Sequence, residues 1–159
     1  MANILVIDSD AATRRLVEQT LRPAGHVVLS AISRVQGVEL SRDNHVDVAI
    51  ICLYMPNEAG MNTVVDFLYE SPGVEIIAFA RQAGAANLSI FARWLGATKS
   101  LTKPVERREL LKAVGEVLLA RREEESHRLT PPRGAVRRAK IARHPEFNTA
   151  HEHGSHPHN

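Results

Sequence analysis

Three short stretches hold the side chains that can do chemistry: Asp8-Ser9-Asp10, the single cysteine Cys52, and Lys103 ahead of Pro104. Carboxylates beside a lysine can hold a cation or move a proton, and a thiol beside a cation can become a nucleophilic thiolate. Each stretch closes an apolar run. ILVI precedes the acids, VAIICL from Val48 to Leu53 contains the cysteine, and Lys103 follows the short segment KSLT. Residues that end buried strands share one edge of a parallel sheet, where ligands and chemistry sit in open α/β folds. The rest of the chain must build that sheet.

Asn3 to Ile7 reads as the first strand. From Ala11 the period changes: Ala12, Leu16, Val17, Thr20 and Leu21 share a helical face, with Asp10 as N-cap and Pro23 with Gly25 as the stop. His26 to Ile32 is a second strand, followed by a weaker helix around Val35 to Ser41 that contains Gly37. The unbroken third strand, halted by Met55-Pro56 and Gly60, suits the centre of the sheet. A third helix carries Val64, Val65, Phe67 and Leu68 and ends at Ser71-Pro72-Gly73, and Val74 to Ala80 is the fourth strand. Gly84 to Leu95 is a helix with Leu88, Phe91 and Leu95 on one side, and Lys99 to Thr102 a fifth strand. The last helix runs from Glu106 to about Arg122 with Leu110, Leu111, Val114, Val117 and Leu118 as its apolar stripe.

Five strand-helix units require crossovers, and right-handed crossovers give a doubly wound parallel sheet with helices on both faces. The expected fold is flavodoxin-like, (βα)5, with strand order 2-1-3-4-5. Strands one and three then flank the switch point, so Asp8, Ser9 and Asp10 meet Cys52 there.

Composition bounds the function. Apolar content of 44% and charge of 24% describe a globular protein, and 4% aromatics weigh against a base-stacking surface. Residues 1–120 carry 12 basic and 13 acidic side chains and residues 121–159 carry 8 and 5, so the net charge of +2 comes from the tail. One cysteine excludes an internal disulfide, and no run approaches the roughly 18 apolar residues of a membrane span. The start MANILVIDSD shows no secretory signal, so a cytoplasmic protein with no membrane partner is expected. Residues 1–123 are expected to form one domain and residues 124–159 a basic, His-rich, disordered tail with too little apolar surface to offset its ordering entropy. In it Arg137, Arg138, Lys140 and Arg143 could touch nucleic-acid phosphates or anionic lipid, although such runs are usually just solvated. His151, His153, His156 and His158 would bind metal only adventitiously.

The acids after ILVI, the Met55-Pro56 and Gly60 that follow the central strand, Gly96-Ala97, and Leu101-Thr102-Lys103-Pro104 together resemble the CheY-like receiver domain of bacterial response regulators. The resemblance covers residues 3 to about 120. It implies that an aspartate ending the third strand takes a phosphoryl group from a histidine kinase, that an acidic pair after the first strand holds Mg²⁺, and that a hydroxyl and a lysine contact the phosphoryl oxygens. Carried over, the acidic pair falls on Asp8 and Ser9, the phosphoacceptor on Cys52, the hydroxyl on Ala80, the lysine on Lys103 and the aromatic switch position on Ser100. The phosphorylation site is therefore degenerate. Mg²⁺ prefers hard oxygen ligands, Ala80 donates nothing, and a thiol does not form an acyl phosphate, so neither metal, cofactor nor catalytic step is expected. Cys52 is then either a small buried hydrophobe or a redox-sensing thiolate stabilised by Lys103.

The expected function is that of an atypical response regulator in two-component or phosphorelay signalling, a phosphorylation-independent adaptor with no recognisable DNA-binding output after the receiver. The family's output face points to Arg93, Trp94 and Ser100 as the surface for a histidine kinase, an output protein or a second copy. Trp94 can equally be packed in the core. The rival readings are a nucleic-acid-associated regulator using the tail and a small-molecule or flavin binder, the latter lacking a Gly-rich phosphate loop.

Overall fold

The computed structural model describes residues 1–81 and 85–129. Five parallel strands form one sheet: β1 (Asn3–Ile7), β2 (Val27–Ala31), β3 (Val48–Cys52), β4 (Glu75–Ala80) and β5 (Lys99–Thr102). Their spatial order is β2-β1-β3-β4-β5, the flavodoxin-like (βα)5 order expected from the sequence. The connections carry α1 (Ala11–Leu21), α2 (Arg34–Asp43), α3 (Gly60–Glu70), α4 (Ala85–Leu95) and α5 (Arg107–Arg128). Every residue of β3 and β4 is buried, because helices cover both faces of the centre of the sheet. One face packs Leu5, Ile7, Ile51, Val64 and Phe67, and the other packs Ile4, Val6, Val17, Leu110 and Val114.

The sequence underestimates several local features. Gly37 weakens the helix expected after β2, yet it has a packing role there. A Cβ there would stand 2.4 Å from Ile7 Cδ1, so glycine lets α2 lie against the end of β1. Ser33 caps α2 by accepting the Gln36 N–H. The loop expected after β3 contains a small antiparallel hairpin, Tyr54–Met55 with Glu58–Ala59. On α4, Phe91 is not part of a buried face but 46% exposed, while Ala92 is buried. Leu111 of α5 is likewise exposed beside its buried neighbour Leu110.

Residues Met1–Arg121 form one compact unit. The helix expected to end about Arg122 continues to Arg128. Glu123 to Arg128 lack an apolar stripe but contain good helix formers, and His127 Nδ1 lies 2.7 Å from the Glu123 carbonyl. Residues 130–159 lie outside the described residues, and with them the basic cluster 137–143 and the four tail histidines. Among the described residues no helix is long and apolar enough to cross a membrane.

Candidate functional site

The carboxyl ends of β1 and β3 open side by side, and β5 ends next to β4. This brings Asp8, Cys52 and Lys103 together, as their positions after apolar runs imply. Asp8 is 1% exposed. Its backbone N–H donates to the Ala31 carbonyl at 3.1 Å, and its own carbonyl accepts Arg14 at 2.7 Å. Oδ1 accepts the Asp10 N–H at 2.9 Å. Oδ2 lies 2.6 Å from Lys103 Nζ, in a buried ion pair. Burial works against the Lys103 ammonium, but the Asp8 carboxylate outweighs it by contact and charge and holds the lysine pKa above its ordinary value.

Cys52 is 1% exposed, and its Sγ donates to the Tyr54 carbonyl at 3.1 Å. Beyond the hairpin that carries Tyr54, α3 starts directly against the exit of β3. A Cβ on Gly60 would stand 2.2 Å from the Cys52 carbonyl oxygen and 2.5 Å from Leu53 Cα, so no other residue fits. Burial raises the thiol pKa, the Asp8 charge raises it further, and the opposing pull of Lys103 and of the Tyr54 backbone is smaller. The raised pKa keeps Cys52 a neutral thiol at ordinary pH. Ala80, fully buried, closes β4, and its carbonyl accepts the Lys103 backbone N–H at 2.7 Å.

Ser9 and Asp10 are exposed at the rim. Asp10 is the N-cap of α1: its carboxylate accepts the Thr13 hydroxyl at 2.7 Å and the Ala12 N–H at 3.2 Å. The Thr13 hydroxyl above all lowers the Asp10 pKa, against the opposing effect of desolvation. The expectation for Ala12 needs correcting, since it faces solvent while Thr13 takes the buried position. Two residues of the mouth carried no signal in the sequence. Arg81 lies over the Tyr54 ring at 5.9 Å, across the entrance, and Arg14 holds the Asp8 carbonyl. A hollow of about 460 Å³ beside the ion pair is lined by Asp10, Thr13, Leu16, Arg81, Lys103 and Val105.

The donor set does not fit a tightly held Mg²⁺. A divalent hard cation needs several free carboxylate or carbonyl oxygens in octahedral array. Here one carboxylate is paired with an ammonium, the second is consumed in capping, and the third nearby group is a neutral soft thiol. Among the described residues no three His, Cys, Asp or Glu side chains converge as a metal-holding group.

The second candidate region lies beside the free edge of β5. A groove of about 720 Å³ is lined by Arg93, Ser100, Lys103, Glu109, Lys112 and Glu116. Arg93 is exposed and Ser100 half-buried. Trp94 is not in the core: it is 73% exposed and stacks on Phe91 with ring centroids 5.8 Å apart, forming a ridge with Ile90, 67% exposed.

Comparison with known proteins matches this geometry. Protein PilH of Pseudomonas aeruginosa is 28% identical over 120 residues, covering 74% of this chain and 98% of PilH. The transcriptional regulatory protein GlrR of Escherichia coli K12 is 28% identical over 117 residues, which make up 26% of GlrR, so the chain spans about a quarter of that relative's length. A CheY-like receiver domain from Methanospirillum hungatei JF-1 superposes with a TM-score of 0.73 at 25% identity, over 78% of this chain and 98% of that one. A receiver domain from Clostridium thermocellum does so with 0.71 at 27% identity, over 77% and 98%. The response regulator receiver domain model matches residues 4–115, well over half of the chain, and this protein therefore belongs to the receiver domain family.

Proposed function

We propose that this chain is an atypical receiver of two-component or phosphorelay signalling that works in the cytoplasm by protein contact, without accepting a phosphoryl group and without Mg²⁺. Aligned by its strand ends, the family's phosphoacceptor position falls on Cys52, the acidic pair on Asp8 and Ser9, the hydroxyl on Ala80 and the lysine on Lys103. The observation that carries the reading is the state of Cys52: a buried, neutral thiol bonded to the Tyr54 carbonyl. Such a group offers no carboxylate oxygen for an acyl phosphate, and Ala80 has no proton to give a phosphoryl oxygen. Lys103 uses its charge on Asp8. The module then takes no catalytic step of its own.

Signalling by contact needs a surface, and the α4–β5 side supplies one. Arg93 and Ser100 line the groove, and Trp94 stands on the aromatic ridge next to it. An exposed aromatic pair flanked by an arginine has the composition of an interface centre. The partner on this reading is a histidine kinase, an output protein or a second copy of the chain. Incubation with acetyl phosphate followed by intact-mass measurement tests the central claim. The expected result is no added phosphoryl group. A phosphoryl adduct that disappears in Asp8→Asn would overturn the reading and make Asp8 the acceptor.

A further inference from the structure

The hollow of about 460 Å³ between α1 and the turn from β5 into α5 falls within the ~300–1,000 Å³ of small-molecule sites. Its rim carries two opposite charges, Asp10 and Arg81, both exposed. Among the described residues no ion pair joins them to each other or to a third group. Each keeps bonding capacity. The Asp10 carboxylate accepts the Thr13 hydroxyl and the Ala12 N–H, which fills about half of its roughly four acceptor positions. The Tyr54 ring, 5.9 Å away, holds the Arg81 guanidinium without supplying an acceptor oxygen, so the planar fork of N–H donors remains for a carboxylate. Lys103 also lines the hollow, but Asp8 matches its charge at 2.6 Å. The rest of the lining is apolar: Ala12 and Leu16 of α1, with Pro104 and Val105 after β5.

We propose that this hollow binds a free α-amino acid with an apolar side chain, its ammonium on Asp10, its carboxylate on Arg81 and its side chain over Leu16, Pro104 and Val105. An acid and a guanidinium that share one hollow without pairing select a ligand carrying both charges. A plain carboxylate would pair with Arg81 but be repelled by Asp10 and cover that acid without a partner, and a plain amine has the converse fault. A polar side chain would lose hydration against Leu16 and Val105, so an apolar one is preferred. Both charged ends are held before the ligand arrives, Asp10 by the Thr13 hydroxyl and Arg81 by the Tyr54 ring. They lie at an exposed rim where water and salt screen them, so the affinity is in the millimolar range and falls as ionic strength rises. Binding needs neither a phosphoryl group nor Mg²⁺, and the inference does not rest on how the chain signals.

The test is a titration of the isotope-labelled full chain with L-leucine, followed by two-dimensional amide NMR at low ionic strength. Isocaproate, which is leucine without its ammonium, and isoamylamine, which is leucine without its carboxylate, serve as the paired probes. Leucine should shift the amides of Ala12, Thr13 and Arg81 and bind about tenfold more tightly than either probe, because each lacks one charge-assisted contact. Arg81→Gln should bring leucine down to the level of isoamylamine without weakening isoamylamine itself. Asp10→Asn, which keeps an N-cap, should bring leucine down to the level of isocaproate without weakening isocaproate. Ala12→Phe, at an exposed position, should fill the hollow and abolish binding, with an unchanged circular dichroism spectrum showing that the fold is intact. Absence of any saturable shift with leucine would overturn the proposal, as would equal leucine binding by the native, Arg81→Gln and Ala12→Phe chains. Isocaproate binding as tightly as leucine would overturn it too, by making the hollow a plain anion site.

Discussion

The two ends of the sheet each hold an aspartate against a cation, and the two pairs are built differently. At the carboxyl end Asp8 is sealed from water, and its Oδ2 has Lys103 as its charge partner at 2.6 Å. At the amino end Asp47 is a hub. Its Oδ1 lies 3.1 Å from Arg121 and 3.0 Å from His45 Nε2, its Oδ2 accepts the Asn3 N–H at 2.8 Å, and its carbonyl accepts Arg121 at 3.0 Å. The Asp47 side chain is 20% exposed. A carboxylate with several donors and some water tolerates the loss of one partner, whereas a sealed carboxylate with one counter-charge does not. The amino end is a structural clamp joining β1, β3 and α5. At the carboxyl end one buried acid and one base neutralise each other.

The largest effect should come from breaking the sealed pair. Lys103→Met leaves a buried carboxylate without its counter-ion, and the expected loss is about 3 kcal/mol of folding stability. Adding Asp8→Asn should restore part of it, because the two losses are coupled through one contact. Arg121→Met should cost only about 1 kcal/mol, since Asn3 and His45 still hold Asp47. Urea unfolding of the four proteins measures this contrast. Equal losses for Lys103→Met and Arg121→Met would erase the distinction between the two ends.

Protonation should expose the same difference at opposite pH extremes. Cys52 and Lys103 have folded pKa values raised above their ordinary 9.0 and 10.5. A raised folded pKa contributes stability that is complete below the unfolded value and lost as pH climbs through the folded one. The carboxyl end should therefore weaken in alkali, beginning just above pH 9 with Cys52, and Cys52→Ala should delay that onset. For Asp47, burial alone would raise the pKa, but the Asn3 N–H, His45 and Arg121 outweigh it and hold the value below 3.8. That contribution is present above pH 3.8 and lost as pH falls through the depressed value. Asp47→Asn should shrink the acid limb of a melting-temperature profile without abolishing it, because Asp10 and Glu116 also lie below the ordinary range. An alkaline limb unchanged in Cys52→Ala would contradict the assignment of a neutral buried thiol.

Much of the mouth could be read from the sequence because strand ends are. An apolar run interrupted by Asp8-Ser9-Asp10, or containing Cys52 and halted by Met55-Pro56, fixes where the chain leaves the sheet, and the βα order fixes which exits are neighbours. The clamp at the other end could not be read in this way. Asp47 looks like any polar residue entering a strand, and its partner Arg121 is 74 residues away on a helix, with no pattern linking them. The Tyr54 carbonyl that receives the Cys52 proton is a backbone atom, which every residue type carries. Periodicity also finds apolar residues without saying which are covered. It grouped Phe91 and Leu111 with buried faces, yet both lie at the edges of their stripes, where a few tens of degrees of helix rotation decide exposure. The end of α5 is hidden for a related reason: the segment REEESHR has helix propensity but no apolar stripe, so periodicity does not reach it.

The smallest expected effect is that of Mg²⁺ on the carboxyl end. In a site crowded by several carboxylates, mutual repulsion is relieved by a divalent cation, and metal binding then adds to stability by mass action. Here the ammonium of Lys103 already balances Asp8, the Asp10 carboxylate is engaged with Thr13 and Ala12, and the Cys52 thiol is neutral. A metal entering would have to displace the lysine from a 2.6 Å contact and would gain a single carboxylate in return. Millimolar MgCl₂ should therefore shift the melting temperature of the native chain no more than an equal ionic strength of NaCl. Cys52→Asp combined with Ser9→Asp returns two carboxylates to the same mouth without disturbing the strands, and this variant should be less stable than the native chain in EDTA and recover on adding Mg²⁺. If instead the native chain is stabilised by Mg²⁺ and loses that response in Asp8→Asn, the lysine does not occupy the cation's role, and the carboxyl end would have to be regarded as a working metal site.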